Sequence, residues 1–165
     1  MEFRDFHLRD ATERDLPLIL SFIKSLAEYE QLSHALVSTE EMLRESLFRK
    51  KAAETIIGYC GDEPAGFAMF YQTFSTFLGV PGMYLEDLFV LPKFRRHGLG
   101  TLLLTRLAQV ADERGYGRME WSVLDWNELA IGFYKGLGAM PMDEWTVFRL
   151  TGEPLRALAR RDRRP

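Results

Sequence analysis

The segment Arg95-Arg96-His97-Gly98-Leu99-Gly100 is where the residue types first suggest chemistry. Two arginines and two spaced glycines stand between a strand-like run ending at Leu91 and a long helical pattern starting at Leu99. At a helix start several N–H groups lack partners, and the helix dipole leaves partial positive charge. Glycine lets an anion approach those groups closely, and Arg95 and Arg96 add charge, so a pyrophosphate suits the turn. An ordinary basic turn before a helix would read the same, and without context the two readings stand level. A dinucleotide fingerprint would need a third spaced glycine in the first strand-turn-helix unit, and a P-loop would need Gly-Lys-Ser/Thr; the sequence has neither.

The second candidate is the pair Glu86-Asp87, set in the apolar run Met83 to Leu91. Charges in a central strand are costly unless used or paired. Regular alternation sends the two side chains to opposite faces, and Asp87 is expected in a structural ion pair or amide contact. His7, His34 and His97 are scattered and Cys60 is the lone cysteine, so no metal site is implied. Cys60 reads as a buried strand residue, with no acid–base pair around it.

These residues need a scaffold, and the chain supplies a mixed one. Phe3 to Arg9 alternates like a first strand. Thr12, with Asp15 three residues on, opens a helix whose apolar positions are Leu16, Ile19, Leu20, Ile23, Leu26 and Ala27, with Pro17 in its first turn. Ser38 or Thr39 opens a second helix carrying Met42, Leu43 and Leu47. Strands are expected at Thr55 to Cys60 and Ala65 to Thr73, joined by Gly61-Asp62-Glu63-Pro64, then a loop from Ser75 to Gly82 and a strand from Met83 to Leu91. Leu99 to Ala111 is the strongest helix and stops at Gly115 and Gly117. Arg118 to Leu124 reads as a strand, Asn127 caps a helix running to Leu137, Trp145 to Leu150 reads as a last strand, and a short helix starts at Gly152. The expectation is one domain, residues 1–165, with a mixed α/β (α+β) sheet flanked by helices.

With 165 residues, 47% hydrophobic and 27% charged, the chain has the balance of a folded domain. No apolar run reaches the roughly 20 residues of a membrane span. The opening Met1-Glu2-Phe3-Arg4-Asp5 lacks the apolar core of a signal peptide, and with one cysteine a reducing cytoplasm is the expected location. Five arginines against Asp162 give the last ten residues a local +4, which leaves −7 on the body from a net −3. An acidic body argues against nucleic acid and is compatible with a cationic substrate.

Arg95-x-x-Gly98-x-Gly100 after a strand resembles the acyl-CoA signature of the GNAT N-acetyltransferases. Tyr84-Leu85-Glu86-Asp87-Leu88-Phe89-Val90, Val123-Leu124-Asp125-Trp126-Asn127 and Gly132-Phe133-Tyr134-Lys135-Gly136-Leu137-Gly138-Ala139 resemble the diamine (spermidine/spermine) and thialysine N-acetyltransferases. Leu26-Ala27-Glu28-Tyr29-Glu30 is similar to the same subgroup's first helix, and Leu-Asp-Trp-Asn is closer to the thialysine type.

The resemblance implies a GNAT fold, a predominantly antiparallel mixed sheet with splayed central parallel strands. It implies direct transfer of acetyl from acetyl-CoA to an amine, without a metal. Leu88, Phe89 and Val90 would border the pantetheine arm, as an extended amide chain pairs with a strand edge. Arg95, Arg96, His97, Gly98, Leu99, Gly100 and Thr101 would hold the pyrophosphate. Asn127, also a plain helix cap, would contact the cofactor, and Lys135 would reach a phosphate. Tyr134 would give its proton to the departing thiolate, a reasonable pairing for a phenol of ordinary pKa near 10. Glu86 would contact the amine and draw off its proton through water. Tyr29, Glu30, Glu120, Trp121 and Ser122 would border the acceptor, with Asp143 or Glu144 supplying an acidic contact near Trp145. The relatives imply a homodimer paired through the last strands and C-terminal segment. The rivals are another acceptor (an aminoglycoside-like amine or a protein N-terminus) and an acyl-CoA-binding regulator without catalysis.

Overall fold

The computed structural model describes residues 5–161, so Phe3 and Arg4 of the expected first strand and Asp162, Arg163 and Arg164 of the basic tail lie outside it. The chain divides into two compact units, residues 1–124 and 125–165. No helix among the described residues is long and apolar enough to cross a membrane.

The first unit is built on the six-residue buried run Ala65 to Phe70. A strand apolar on both faces must be covered on both, and two helices do this. Five strands lie in sequence order: β1 Phe6–Asp10, β2 Glu54–Cys60, β3 Glu63–Ser75, β4 Val80–Val90 and β5 Met119–Trp121. The first four pair antiparallel, and β5 joins β4 in parallel.

Helix α1, Leu16–Tyr29, buries Ile19 and Phe22 in a cluster with Ile57, Phe67, Met69 and Phe89, Phe22 stacking on Phe67 at 5.4 Å. Helix α3, Leu99–Glu113, buries Leu99, Leu103, Leu107 and Val110. It meets the alternate residues of the sheet: a Cβ on Gly58 would lie 2.7 Å from Leu99 Cδ1, so a larger residue there would push that leucine out of place. Each fully buried Leu, Ile or Phe contributes about 1.5–3 kcal/mol. Between α1 and β2, α2 (Glu40–Leu43) is capped by Thr39 Oγ1, which accepts the Met42 N–H at 3.3 Å, and runs on as π-helical Arg44–Arg49.

The expected loop from Ser75 to Gly82 is instead mostly strand. β3 and β4 stay paired out to Ser75 opposite Val80, leaving residues 76–79 as the turn. Gly79 turns there at φ +70°, and its N–H donates to Ser75 O at 2.8 Å. Pro81, which reads as a breaker, is tolerated because only its carbonyl is needed, accepting from Gly117 N–H at 2.9 Å. The strand expected over Arg118 to Leu124 shrinks to Met119–Trp121.

The second unit holds α4, Glu128–Gly136, and α5, Gly152–Arg160. The last strand expected at Trp145 to Leu150 does not form, and those residues are exposed. Alternation alone cannot make a strand without a ladder to join.

Candidate active site

Parallel pairing between β4 and β5 covers only Met83 to Leu85 opposite Met119 to Trp121. From Glu86 onward β4 has no partner on that side among the described residues. Leu91 N–H donates to Ala65 O on β3 at 2.9 Å. Antiparallel alternation then turns the N–H and C=O of Phe89 and Asp87 toward β3, and those of Leu88 and Val90 toward the open edge. An extended amide-bearing arm could pair there.

A β-bulge falls at the start of that open edge. Asp87 lies opposite Met69 and Leu85 opposite Phe70, so Glu86 is the extra residue. The strand alternation that would send Glu86 and Asp87 to opposite faces is interrupted at this point. Glu86 is exposed; burial raises the pKa of both Asp87 and the Tyr71 phenol, and the Glu86 charge adds to each rise.

Asp87 corrects a second expectation, because no ion pair or hydrogen bond engages its carboxylate among the described residues. It lines a cavity of about 180 Å³ with Ile23, Leu26, Ala27 and Glu30 of the α1 end and with Leu36. Burial pushes its pKa up to about 6, with Glu86 and Glu30 adding repulsion. Burial also raises the Glu30 carboxyl. The cavity is thus apolar-walled and negatively charged, and no Lys or Arg among the described residues lines it. Sequence reasoning missed Asp87 as a cavity residue; the available signal was that Glu86 and Asp87 are both carboxylates in an otherwise apolar strand.

Past the open edge the chain turns at Arg96 (φ +63°) and Gly98 (φ +95°) into α3. The first helical bond is Leu102 N–H to Gly98 O, 2.9 Å, so the N–H groups of Leu99, Gly100 and Thr101 precede the ladder. Arg96, His97 and Gly98 are exposed. These features suit a diphosphate: free N–H donors at a long helix start and a left-handed glycine with nothing within 4 Å of its Cβ position. Arg95 behaves differently. Its guanidinium lies over the Tyr29 ring at 4.5 Å and near Phe89 at 5.5 Å, and its Nε–H donates to Val90 O at 2.9 Å.

On β5, Glu120 pairs with Arg118 at 2.8 Å, so part of its charge is already answered. Trp121 is half-buried, and Ser122 Oγ shares a 2.7 Å hydrogen bond with Tyr84 Oη. In the second unit Asn127 Oδ1 caps α4 by accepting Ala130 N–H at 3.2 Å. Tyr134 is half-buried on α4 with its ring 5.4 Å from Phe133, and Lys135 is exposed one residue on. Asp143 and Glu144 lie exposed just before Trp145, outside any helix or strand.

The profile of the acetyltransferase (GNAT) family matches residues 20–139. A thialysine N-epsilon-acetyltransferase from Caenorhabditis elegans is 35% identical over 159 residues, covering 94% of this chain and 98% of that protein. An L-ornithine N5-acetyltransferase from Arabidopsis thaliana is 32% identical, covering 92% of this chain and 86% of that protein. Among solved structures, an integron cassette protein from the mobile metagenome of V. cholerae superposes with a TM-score of 0.77 at 26% identity, covering 94% of this chain and 98% of that one.

Proposed function

The chain belongs to the acetyltransferase (GNAT) family, and on that premise we propose that it moves acetyl from acetyl-CoA to the primary amine of a small cationic acceptor, a diamine or a thialysine-like amino acid. One observation carries the acceptor class: the cavity at the α1 end is lined by Asp87 and Glu30, and among the described residues no cation lines it with them. A second ammonium on the acceptor would supply the missing charge. Such a charge-assisted contact is worth roughly 1.5–3 kcal/mol. The relatives that act on thialysine and ornithine support the same class.

Acetyl-CoA supplies an activated thioester; the residues of this chain bind, orient and move protons. The N–H groups of Leu99, Gly100 and Thr101, with Gly98, His97 and Arg96, hold the pyrophosphate, and Lys135 reaches a phosphate. Leu88, Phe89 and Val90 guide the arm along the open edge, and Asn127 contacts the cofactor beside its capping role. Tyr29, Trp121 and Ser122 wall the acceptor, with Glu120 and the acids Asp143 and Glu144 as further contacts. The amine arrives protonated and must lose a proton before it attacks. Glu86, exposed at the bulge, accepts that proton through water. As the C–N bond forms and the C–S bond breaks, the Tyr134 hydroxyl donates its proton to the departing sulfur.

The whole chain acts as one catalytic domain in the cytoplasm and pairs with a second copy. The support for pairing is the exposed apolar segment with Trp145, Val147 and Phe148 at 70%, 83% and 92% exposure. A monomeric mass by light scattering at micromolar concentration would exclude the pairing.

The deciding experiment is acceptor-dependent release of CoA thiol over polyamines, thialysine, lysine, aminoglycosides and a neutral-tailed monoamine. Turnover is expected with the diamines or thialysine and not with the monoamine. Failure of every diamine and thialysine-like amine refutes the acceptor class, and failure of all amines favours a regulator that only binds acyl-CoA.

A further inference from the structure

Arg95 stands between the two halves of the site, and its contacts are not those of a phosphate ligand. The guanidinium is half-buried between the Tyr29 and Phe89 rings. No carboxylate pairs with it among the described residues. Its Nε–H donates to Val90 O, 2.9 Å away. Because Leu91 N–H points to β3, the trans peptide turns Val90 O to the open edge. Arg95 therefore occupies one of the acceptor groups on the edge an acyl-CoA arm would use, leaving Leu88 and the Val90 N–H.

The other end of the contact is the acceptor wall. Tyr29 closes α1, and Leu26, Ala27 and Glu30 around it line the acidic cavity. A planar cation on an aromatic face has a preferred stacking geometry that a lysine ammonium does not reproduce.

We propose that Arg95 is a positioning residue that holds the last turn of α1 against the open edge of β4, so that acceptor binding is coupled to occupation of the cofactor edge. This rests on the acetyltransferase site described above. A pyrophosphate ligand would act on acetyl-CoA affinity; a positioning residue acts on the acceptor.

The test uses Arg95→Met, Arg95→Lys, Tyr29→Leu and the Arg95→Met/Tyr29→Leu double variant, with acetyl-CoA Kd by calorimetry and acceptor KM by thiol release. Losing the stacked guanidinium should raise acceptor KM about tenfold in both single Arg95 variants, with acetyl-CoA Kd changing less than about threefold. In the Tyr29→Leu background, Arg95→Met should add less than about twofold, because the two residues act as one unit. In parallel, protein carrying 3-fluorotyrosine gives a ¹⁹F signal for position 29, assigned by its loss in Tyr29→Leu. That signal should shift when CoA binds the parent, and the shift should vanish in Arg95→Met. The ¹⁹F measurement needs no acceptor, so it reads the coupling even if the cationic-amine reading fails in the panel. A large rise in acetyl-CoA Kd that Arg95→Lys restores would make Arg95 a phosphate ligand and overturn the proposal. Additive effects with Tyr29→Leu, or an unchanged ¹⁹F response in Arg95→Met, would overturn it as well.

Discussion

Both ends of α1 are acidic, and their carboxylates are treated in opposite ways. At the N-terminal end Asp15 accepts from Thr12 N–H and Oγ1–H and from both terminal nitrogens of Arg9, at 2.6 to 2.9 Å. Arg9 is itself braced by Tyr59, which stacks on His7 at 5.4 Å. The Arg9 guanidinium and the Thr12 donors hold Asp15 well below the usual carboxylate range. At the C-terminal end Asp87 and Glu30 line one cavity with no Lys or Arg among its described lining residues, and burial pushes Asp87 up to about 6. The helix dipole widens the contrast, since it favours anions at the first turn and cations at the last. The first end is a structural staple whose charges cancel within the fold. The second is left unfavourable to its own acids and favourable to a guest cation, as expected of a site that spends stability on binding.

Asp15→Ala tests the first half of the comparison most severely. It strips Arg9 of its partner and unties the α1 start, so a loss of roughly 2–3 kcal/mol is expected, less than for a fully buried pair because Arg9 is partly exposed. Chemical denaturation measures it. A carboxyl with a lowered pKa stabilises above its unfolded value near 3.8. The parent's advantage over the variant should therefore hold across neutral pH and shrink only below about pH 4. An advantage that disappears at pH 6 would break the comparison from this side.

The opposite sign is expected at the other end. Asp87 has a pKa raised from 3.8 to about 6, so the folded state binds the proton more tightly than the unfolded one. Its ionisation destabilises the fold above about pH 6, and that cost fades as pH falls toward 4. Asp87→Asn should stabilise the protein at pH 7 by about 1–2 kcal/mol while weakening acceptor binding. Denaturation midpoints at pH 7 and pH 4, with acceptor KM at pH 7, decide it. Destabilisation at pH 7 would mean that Asp87 is structural after all.

Glu30→Gln is the mildest change. Glu30 is half-buried at the end of α1, and stability should move by less than about 0.5 kcal/mol. Acceptor KM should rise about tenfold for a dicationic amine, with acetyl-CoA KM nearly unchanged. Equal activity on a diamine and a neutral-tailed monoamine would reduce Glu30 to a solvated helix end.

Patterns along the chain suffice for the parts of this protein that depend on near neighbours in sequence. The helical spacing from Leu16 to Ala27, the Thr12–Asp15 start, the Asn127 cap and the glycine turn before Leu99 are local patterns, and each is present where the residues place it. The family resemblance was also legible, because it is carried by short motifs in order along the chain. Features that depend on distant partners were set by packing and strand pairing. Pairing between β3 and β4 turned most of the segment from Ser75 to Gly82 into hairpin strand, and the absence of a ladder left Trp145 to Leu150 without a strand. A bulge fixed only by β3 set Glu86 outside the strand alternation, and Asp87, opposite Met69, came to line the cavity at the end of α1. Arg95, which reads as a phosphate-binding arginine in its turn, reaches Tyr29 sixty-six positions earlier in the chain, a contact that no local pattern encodes. Side-chain spacing reports the face of an element; which group waits on that face is set by the packing of elements far apart in sequence.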